Sequence, residues 1–455
     1  MSYVKKPYWQ ESSSSQVPKP PLVPGLPLLG NALELNNDFI GFLVKNYQQF
    51  DSIFRVQVPN QNFTVLAGPE ANNFMSQAGD EYLTLRQIWK IYAQEYGTEV
   101  FISLMEGAAH RHLRQVLNRG YSPAAILPHM PLLVETTEQM VSEWQIGQPV
   151  KIIDTIRQLV VKQLGLALAN RAPGESLNQL RLFFCTNINV AFKGWSKRAL
   201  RSRDYLKAKA LVMELGREII ANHRAVKPID RERDFIDDLL EATDENGQPF
   251  SEAALIAQVL SPFFGGMETT ANICSFMLYA LLKNPDVLER ITAEIDSVLA
   301  QQPLNALALK SMKSLHGAAM ETLRMYPSSP VLPRSAKKSF EFAGYSVERN
   351  ERVIIATSVS HFLPKFFPNP YTFDIDRYCE PRNEHHQPGA YAPFGLGAHI
   401  CLAKGITEIQ IMTIMATLLA RVRLQIDPPN YKLKIAYDPN PCPKNFCVRI
   451  VEHRH

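Results

Sequence analysis

Three stretches of the chain are apolar on more than one helical face. Residues 253–284, AALIAQVLSPFFGGMETTANICSFMLYALLKN, run almost without charge, and only their glycines and proline keep them from reading as one buried helix. Pro262 has no N–H to donate and should bend that helix just upstream of Gly266. Residues 315–327, LHGAAMETLRMYP, predict a second helix stopped by Pro327. Residues 401–422, CLAKGITEIQIMTIMATLLARV, predict a third that is apolar on nearly every side and hence internal. Strand-like runs are short: 52–58, 63–68 and 352–357. The pattern predicts a mainly α fold with small β-sheets.

The first residues change this picture little. Ser12–Ser15, followed by five prolines between Pro18 and Pro27, read as a mobile tail over 1–20 and then an extended surface segment. No repeat or low-complexity linker follows, so residues 21–455 read as a single domain. No N-terminal apolar run is long enough for a signal peptide or a membrane span, and a cytoplasmic protein without a transmembrane anchor is expected. The chain is 46% hydrophobic and 20% charged, ordinary for a globular protein. Its net charge of +4 over 455 residues gives no electrostatic case for nucleic-acid binding. Six cysteines without a CxxC pair argue against a zinc site or a disulfide scaffold and for a reducing compartment.

Candidate chemistry begins at PFGLGAHICLAKG, residues 393–405, where one cysteine follows a glycine-rich loop. Gly395 and Gly397 permit turns that a Cβ resists. A thiol at a helix start is drawn toward the thiolate by the helix dipole and by free backbone N–H groups. Such a thiolate suits a nucleophile or a metal ligand, against the commoner fate of a buried structural cysteine. Glu321 and Arg324 are spaced to share a helical face. A second such pair, Glu214 and Arg217, reads as a solvated surface contact. Gly265 and Gly266 inside a helical pattern each cost roughly 1 kcal/mol against alanine, which invites a functional reason.

Phe394-x-x-Gly397-x-x-x-Cys401 resembles the heme-binding loop of the cytochrome P450 superfamily, with Ala403 where that signature normally ends in glycine. Glu321-x-x-Arg324, FDIDRY with Arg377, and GGMETT at 265–270 resemble further segments of that family and follow its order. The resemblance covers almost the whole chain. It implies the α-rich P450 fold, with heme b buried between a long distal helix and a proximal helix, and Cys401 as the iron ligand. Glu268 and Thr269 match the acid–alcohol pair that manages proton delivery, on a helix whose hydrogen bonding opens locally. His110, Arg114, Arg334 and His399 match positions that grip the heme propionates, and Phe394 lines the loop. Glu321, Arg324 and Arg377 match a buried structural cluster.

The activity implied is insertion of one oxygen atom from O2 into a lipophilic substrate, such as a terpenoid, steroid or fatty acid. A separate ferredoxin or flavodoxin with its reductase would supply electrons, because the chain shows neither a cysteine cluster nor a dinucleotide-binding glycine run. Substrate-facing segments would lie near 85–105, 180–195, 261–269, 328–334 and 441–446. Phe183, Phe184, Phe263, Phe264, Val331 and Leu332 would give an apolar lining, unless they face the core. Rival readings are a P450-type peroxygenase or isomerase, and a non-catalytic heme or lipid carrier. Retention of Glu268-Thr269 favours the monooxygenase.

Overall fold

The computed structural model describes residues 8–11, 17–59, 61–226, 233–437 and 439–454. The chain folds into two compact units, each built from two separated stretches: Met1–Ile88 with Ser329–Cys401, and Trp89–Ser328 with Leu402–His455.

The first unit carries most of the β structure. Its five-stranded sheet runs in the order Ile53–Val58, Gln61–Ala67, Arg352–Ala356, Leu332–Ala336, Leu83–Thr84. Gln61–Ala67 and Arg352–Ala356 pair in parallel, and the other neighbours are antiparallel. Successive strand residues point to opposite faces. Val65 accordingly joins one apolar cluster with Phe54 and Phe367, while Leu66 joins another with Phe74 and Ile355. Both faces are buried, which explains runs of valine and isoleucine rather than strict alternation.

A second, three-stranded sheet corrects one expectation. Trp9–Glu11, inside the tail read as mobile, pairs with Phe340–Phe342, which pairs in turn with Tyr345–Val347. The Tyr8 ring packs on Phe342 at 5.1 Å and Trp9 on Phe74 at 5.4 Å, so aromatic burial holds this short strand. Residues 1–7 and 12–16 of that expected tail lie outside the described residues. The proline-rich segment then runs beside Ile53–Val58, with the Val23 N–H donating to the Arg55 carbonyl at 2.9 Å.

The second unit is helical, with two small sheets joining Val422–Asp427, Cys447–His453 and Pro149–Lys151, and Ile435–Tyr437 with Pro441–Pro443. The 253–284 stretch forms three helices, Glu252–Val259, Ser261–Met267 and Thr269–Lys283. Pro262 sits in the first turn of the middle one, where a missing N–H costs nothing, and the break falls at Leu260 as expected. Lys313–Met325 ends two residues before Pro327. The last long helix, Lys404–Arg421, starts three residues later than the apolar pattern predicts, so Cys401 precedes it rather than opening it. Thr269–Lys283 packs against Ile152–Ala169, Lys313–Met325 and Lys404–Arg421 at the centre of this unit. Among the described residues, no helix is long and apolar enough to cross a membrane.

Candidate active site

In the first unit the cysteine loop is shaped by its main chain. The Gly395 N–H donates to the Ala392 carbonyl at 3.2 Å, Ile400 to Gly397 at 3.1 Å, and Cys401 to Phe394 at 2.9 Å. Gly395 and Gly397 hold φ of 77° and 73°, the left-handed region that favours glycine. At Gly397 space adds a second demand, because a Cβ would stand 2.7 Å from the Met75 carbonyl oxygen. Two anchors had no signal in the sequence. Asp80 accepts from the Ala398 N–H at 3.1 Å, and the His361 Nε2 accepts from the Ala392 N–H at 3.0 Å. Leu396 packs into the apolar cluster around Phe74. Cys401 emerges from this frame exposed. The fold thus presents a thiol on a preset turn, unlike a structural cysteine hidden in a core.

Arg334, on the strand Leu332–Ala336, is only 5% exposed. Its guanidinium donates to the Pro333 carbonyl at 2.9 Å and makes no ion pair among the described residues. Burial pushes its pKa down to about 10, a pull that the charge of Asp80 opposes. A buried cation held this way fits an acid group delivered by a ligand, which is what a heme propionate is. His399 and Phe394 are partly buried on the same loop as Cys401. In the second unit, His110 and Arg114 lie one turn apart on the helix Gly107–Asn118, with His110 buried and Arg114 partly so.

The second unit also carries the acid and the alcohol. Between Pro262 and Leu278 every residue is buried except Gly265 and Thr269. These are four apart and so share one helical face, where a side chain is missing and a hydroxyl is present. The Thr269 Oγ1 donates to the Gly265 carbonyl at 2.6 Å. The helix is interrupted between them at Glu268, the local opening that the sequence implied. That donation occupies the hydroxyl hydrogen and leaves the oxygen free to accept.

Glu268 is buried and shared by two arginines that the sequence did not reveal. Arg157 Nη2 donates to one carboxylate oxygen at 2.9 Å and Arg181 Nε to the other at 3.0 Å. Arg157 is itself buried and also bonds Asp154 at 3.0 Å, whereas the Arg181 side chain keeps 35% of its surface exposed. A carboxylate clamped this way is held in one orientation, with a route toward water along Arg181.

Glu321 and Arg324 form a two-pronged pair, both bonds 2.7 Å, with neither side chain exposed. Glu214 and Arg217 remain on the surface, half exposed. Arg377, in the first unit, is fully buried; it pairs with Glu384 at 2.8 Å and donates to the carbonyls of Pro368 and Asn369. Glu384 was another partner that the sequence left unmarked.

The apolar lining needs correction. Phe183 and Phe263 have no accessible surface: Phe183 stacks on Tyr205 at 5.8 Å, and Phe263 fills the space over Gly165. Both are core. Phe184 is partly buried and lies parallel to Phe264 at 5.6 Å, one residue before the accessible Gly265. Val331 and Leu332 are partly buried in the first unit.

Comparison with known proteins gives one consistent result. The family model described as Cytochrome P450 matches residues 20–168 and 174–441. A sterol 14alpha-demethylase of Mycolicibacterium vanbaalenii is 25% identical over 411 residues, covering 88% of this chain and 90% of that protein. A cyclooctat-9-en-7-ol 5-monooxygenase of Streptomyces melanosporofaciens is 26% identical over 341 residues, covering 72% and 73%. The structure titled retinoic acid bound cyanobacterial CYP120A1 superposes with a TM-score of 0.83 at 24% identity, covering 96% of this chain and 100% of that one.

Proposed function

The chain belongs to the cytochrome P450 family, heme b monooxygenases that incorporate oxygen from O2, and from that premise we propose that it hydroxylates or epoxidises a lipophilic substrate of the terpenoid, steroid or fatty-acid type. The observation that carries this reading is the accessible pair Gly265 and Thr269 on an otherwise buried helix. A heme or lipid carrier has no need of a hydroxyl poised beside a helix opening. Support for the substrate class comes from the sterol and the cyclic alcohol named for the two relatives, and from the stacked rings of Phe184 and Phe264.

Cys401 would hold the iron, and Arg334, His399, His110 and Arg114 the propionates, with Phe394 lining the loop. Thiolate-ligated heme supplies electron density that favours O–O cleavage. The protein's part is position and protons. The Cys401 turn sets the sulfur through main-chain bonds, and Arg334 offers a charge already stripped of water. The Thr269 hydroxyl, fixed by Gly265, accepts from a proton-bearing water and holds it at the helix opening. Glu268, oriented by Arg157 and Arg181, takes a proton from solvent on the side where Arg181 is exposed and hands that proton on to the water at Thr269. Glu321, Arg324 and Arg377 act as the structural cluster, and residues 21–455 as one catalytic domain. The dispersed cysteines give the chain no cluster to carry electrons, so a ferredoxin or flavodoxin with its reductase serves as donor in the cytoplasm.

The test is Thr269→Ala in the heme-loaded enzyme with a turned-over lipid. Loss of the hydroxyl should leave the red-shifted CO band of thiolate ligation intact while product formed per electron pair falls severalfold. Undiminished coupling would remove Thr269 from proton delivery, and a CO band typical of imidazole ligation would remove Cys401 from the iron.

A further inference from the structure

The cysteine turn leans on one short piece of chain, residues 74–83. Leu396 lies in the apolar cluster of Phe74, Met75 and Tyr82, and at Gly397 a Cβ would stand only 2.7 Å from the Met75 carbonyl oxygen. After the helix Gly68–Gln77 comes the four-residue helix Gly79–Tyr82, where the Asp80 carboxylate accepts from the Ala398 N–H at 3.1 Å. Ala398 precedes His399 and stands three residues before Cys401. Asp80 is exposed and in no ion pair among the described residues, whereas its neighbour Glu81 pairs with Lys338 at 2.8 Å. The acid beside the cysteine turn is thus the uncompensated one of the two.

The strand that carries Arg334 fixes where Asp80 stands. The Lys337 ammonium donates to the Asp80 carbonyl and the Lys337 N–H to the Tyr82 carbonyl, both at 2.7 Å. Leu83 and Thr84 then pair with Ala336 and Ser335. The Tyr82 ring beds on Phe74 and Phe340, at 5.9 and 5.2 Å between centroids. Asp80 is therefore held from both sides rather than swinging free. Its field reaches Arg334 as well, where it opposes the loss of the guanidinium proton. The bond to Ala398 does not by itself call for an acid, because an amide or hydroxyl oxygen would accept the same N–H. What a carboxylate adds is a charge, and a fixed negative charge opposes the arrival of an electron nearby.

We propose that Asp80 is a positioning residue for the heme thiolate with two separable effects. Its bond to Ala398 holds the turn that sets the Cys401 sulfur, and its charge makes the heme harder to reduce. The inference rests on the assignment of Cys401 to the iron. It gives the chain a control on electron entry that lies outside the substrate pocket and outside the propionate ligands.

The test uses the heme-loaded full chain and two substitutions. Asp80→Asn keeps an oxygen for the Ala398 N–H and removes the charge, whereas Asp80→Ala removes both. Reduction is followed optically against dyes of known potential, and heme loss by transfer to an acceptor protein in excess. At low salt, Asp80→Asn should raise the ratio of ferrous to ferric heme at a fixed ambient potential by about threefold to tenfold, the range for one partly screened charge. Its heme content and thiolate CO band should match the parent. Because Asp80 is exposed, the gain should shrink near 1 M salt, where screening reaches within about 3 Å. Asp80→Ala should show the same rise and also release heme about tenfold faster, as the loss of a charge-assisted bond requires. A residue that only braced the loop would leave the reduction ratio of Asp80→Asn at the parent value, and that result would overturn the inference. So would an Asp80→Ala chain that holds heme as long as the parent does. Both results leave the Cys401 assignment standing, whereas a parent without the thiolate CO band would overturn that assignment and this inference with it.

Discussion

Replacing Arg334 with methionine should move two properties in opposite directions. The guanidinium is nearly buried, and its pKa falls from the ordinary guanidinium value to about 10, chiefly because burial strips its hydration. At 1.36 kcal/mol per pH unit, that drop corresponds to about 3 kcal/mol of unfavourable burial in the heme-free chain at neutral pH. Methionine keeps an apolar stem of similar length and gives up the bond to the Pro333 carbonyl, worth about 1 kcal/mol. The heme-free variant should therefore be more stable by about 2 kcal/mol in urea unfolding at neutral pH. The sign in pH follows. Below about pH 10 both folded and unfolded chains are protonated, and the folded one bears the full penalty. Between about pH 10 and the ordinary guanidinium pKa the unfolded chain binds a proton that the folded chain lacks, so stability rises with pH in the parent and not in the variant. Heme retention should go the other way. A charge-assisted bond to a carboxylate is worth about 1.5–3 kcal/mol, so transfer of heme to an acceptor protein should speed up roughly tenfold or more. A variant that is less stable without heme, or that releases heme at the parent rate, would refute the assignment of Arg334 to a propionate.

Two other substitutions test the frame around the site. Glu268→Gln withdraws the shared charge from two arginines. Arg157 is buried and, among the described residues, keeps only Asp154, while Arg181 reaches water, so the cost should be about 3 kcal/mol, near the lower end for a broken buried pair. Urea midpoints would read it, and a change under 0.5 kcal/mol, roughly the scatter of a neutral surface substitution, would mean that Glu268 is not the hub. Gly397→Ala puts a Cβ in the left-handed region and against the Met75 carbonyl, at a combined cost of at least about 2 kcal/mol. Heme bound per chain should drop sharply, whereas Gly395→Ala, whose Cβ meets only Leu332 side-chain carbons at 3.7 Å and beyond, should lose less. Equal loss at the two positions would remove the steric argument.

The parts of the site legible in the sequence are those enforced by short-range stereochemistry. Gly397 and Cys401 lie in one turn, Glu321 and Arg324 on one helical face, and Pro262 marks its own helix break. What stayed hidden was long-range. Arg157 and Arg181 stand 111 and 87 residues from Glu268, and nothing near either marks a buried partner. Glu384 carries no motif, although it pairs with Arg377. Asp80 reaches the cysteine loop from 318 residues away. Phe183 and Phe263 were indistinguishable from lining residues because a core ring and a pocket ring have the same composition. Trp9–Glu11 escaped notice because three residues are too few for a period, and its order comes from rings on another segment. The two units were invisible because each is stitched from separated stretches, so no linker marks where one stops.

Three of the bonds that shape the cysteine turn run from peptide to peptide. Most neighbouring side chains can therefore be exchanged over evolutionary time without displacing the sulfur, provided that position 397 stays bare. A designer seeking new selectivity could vary the walls freely and treat that stretch of backbone as fixed hardware.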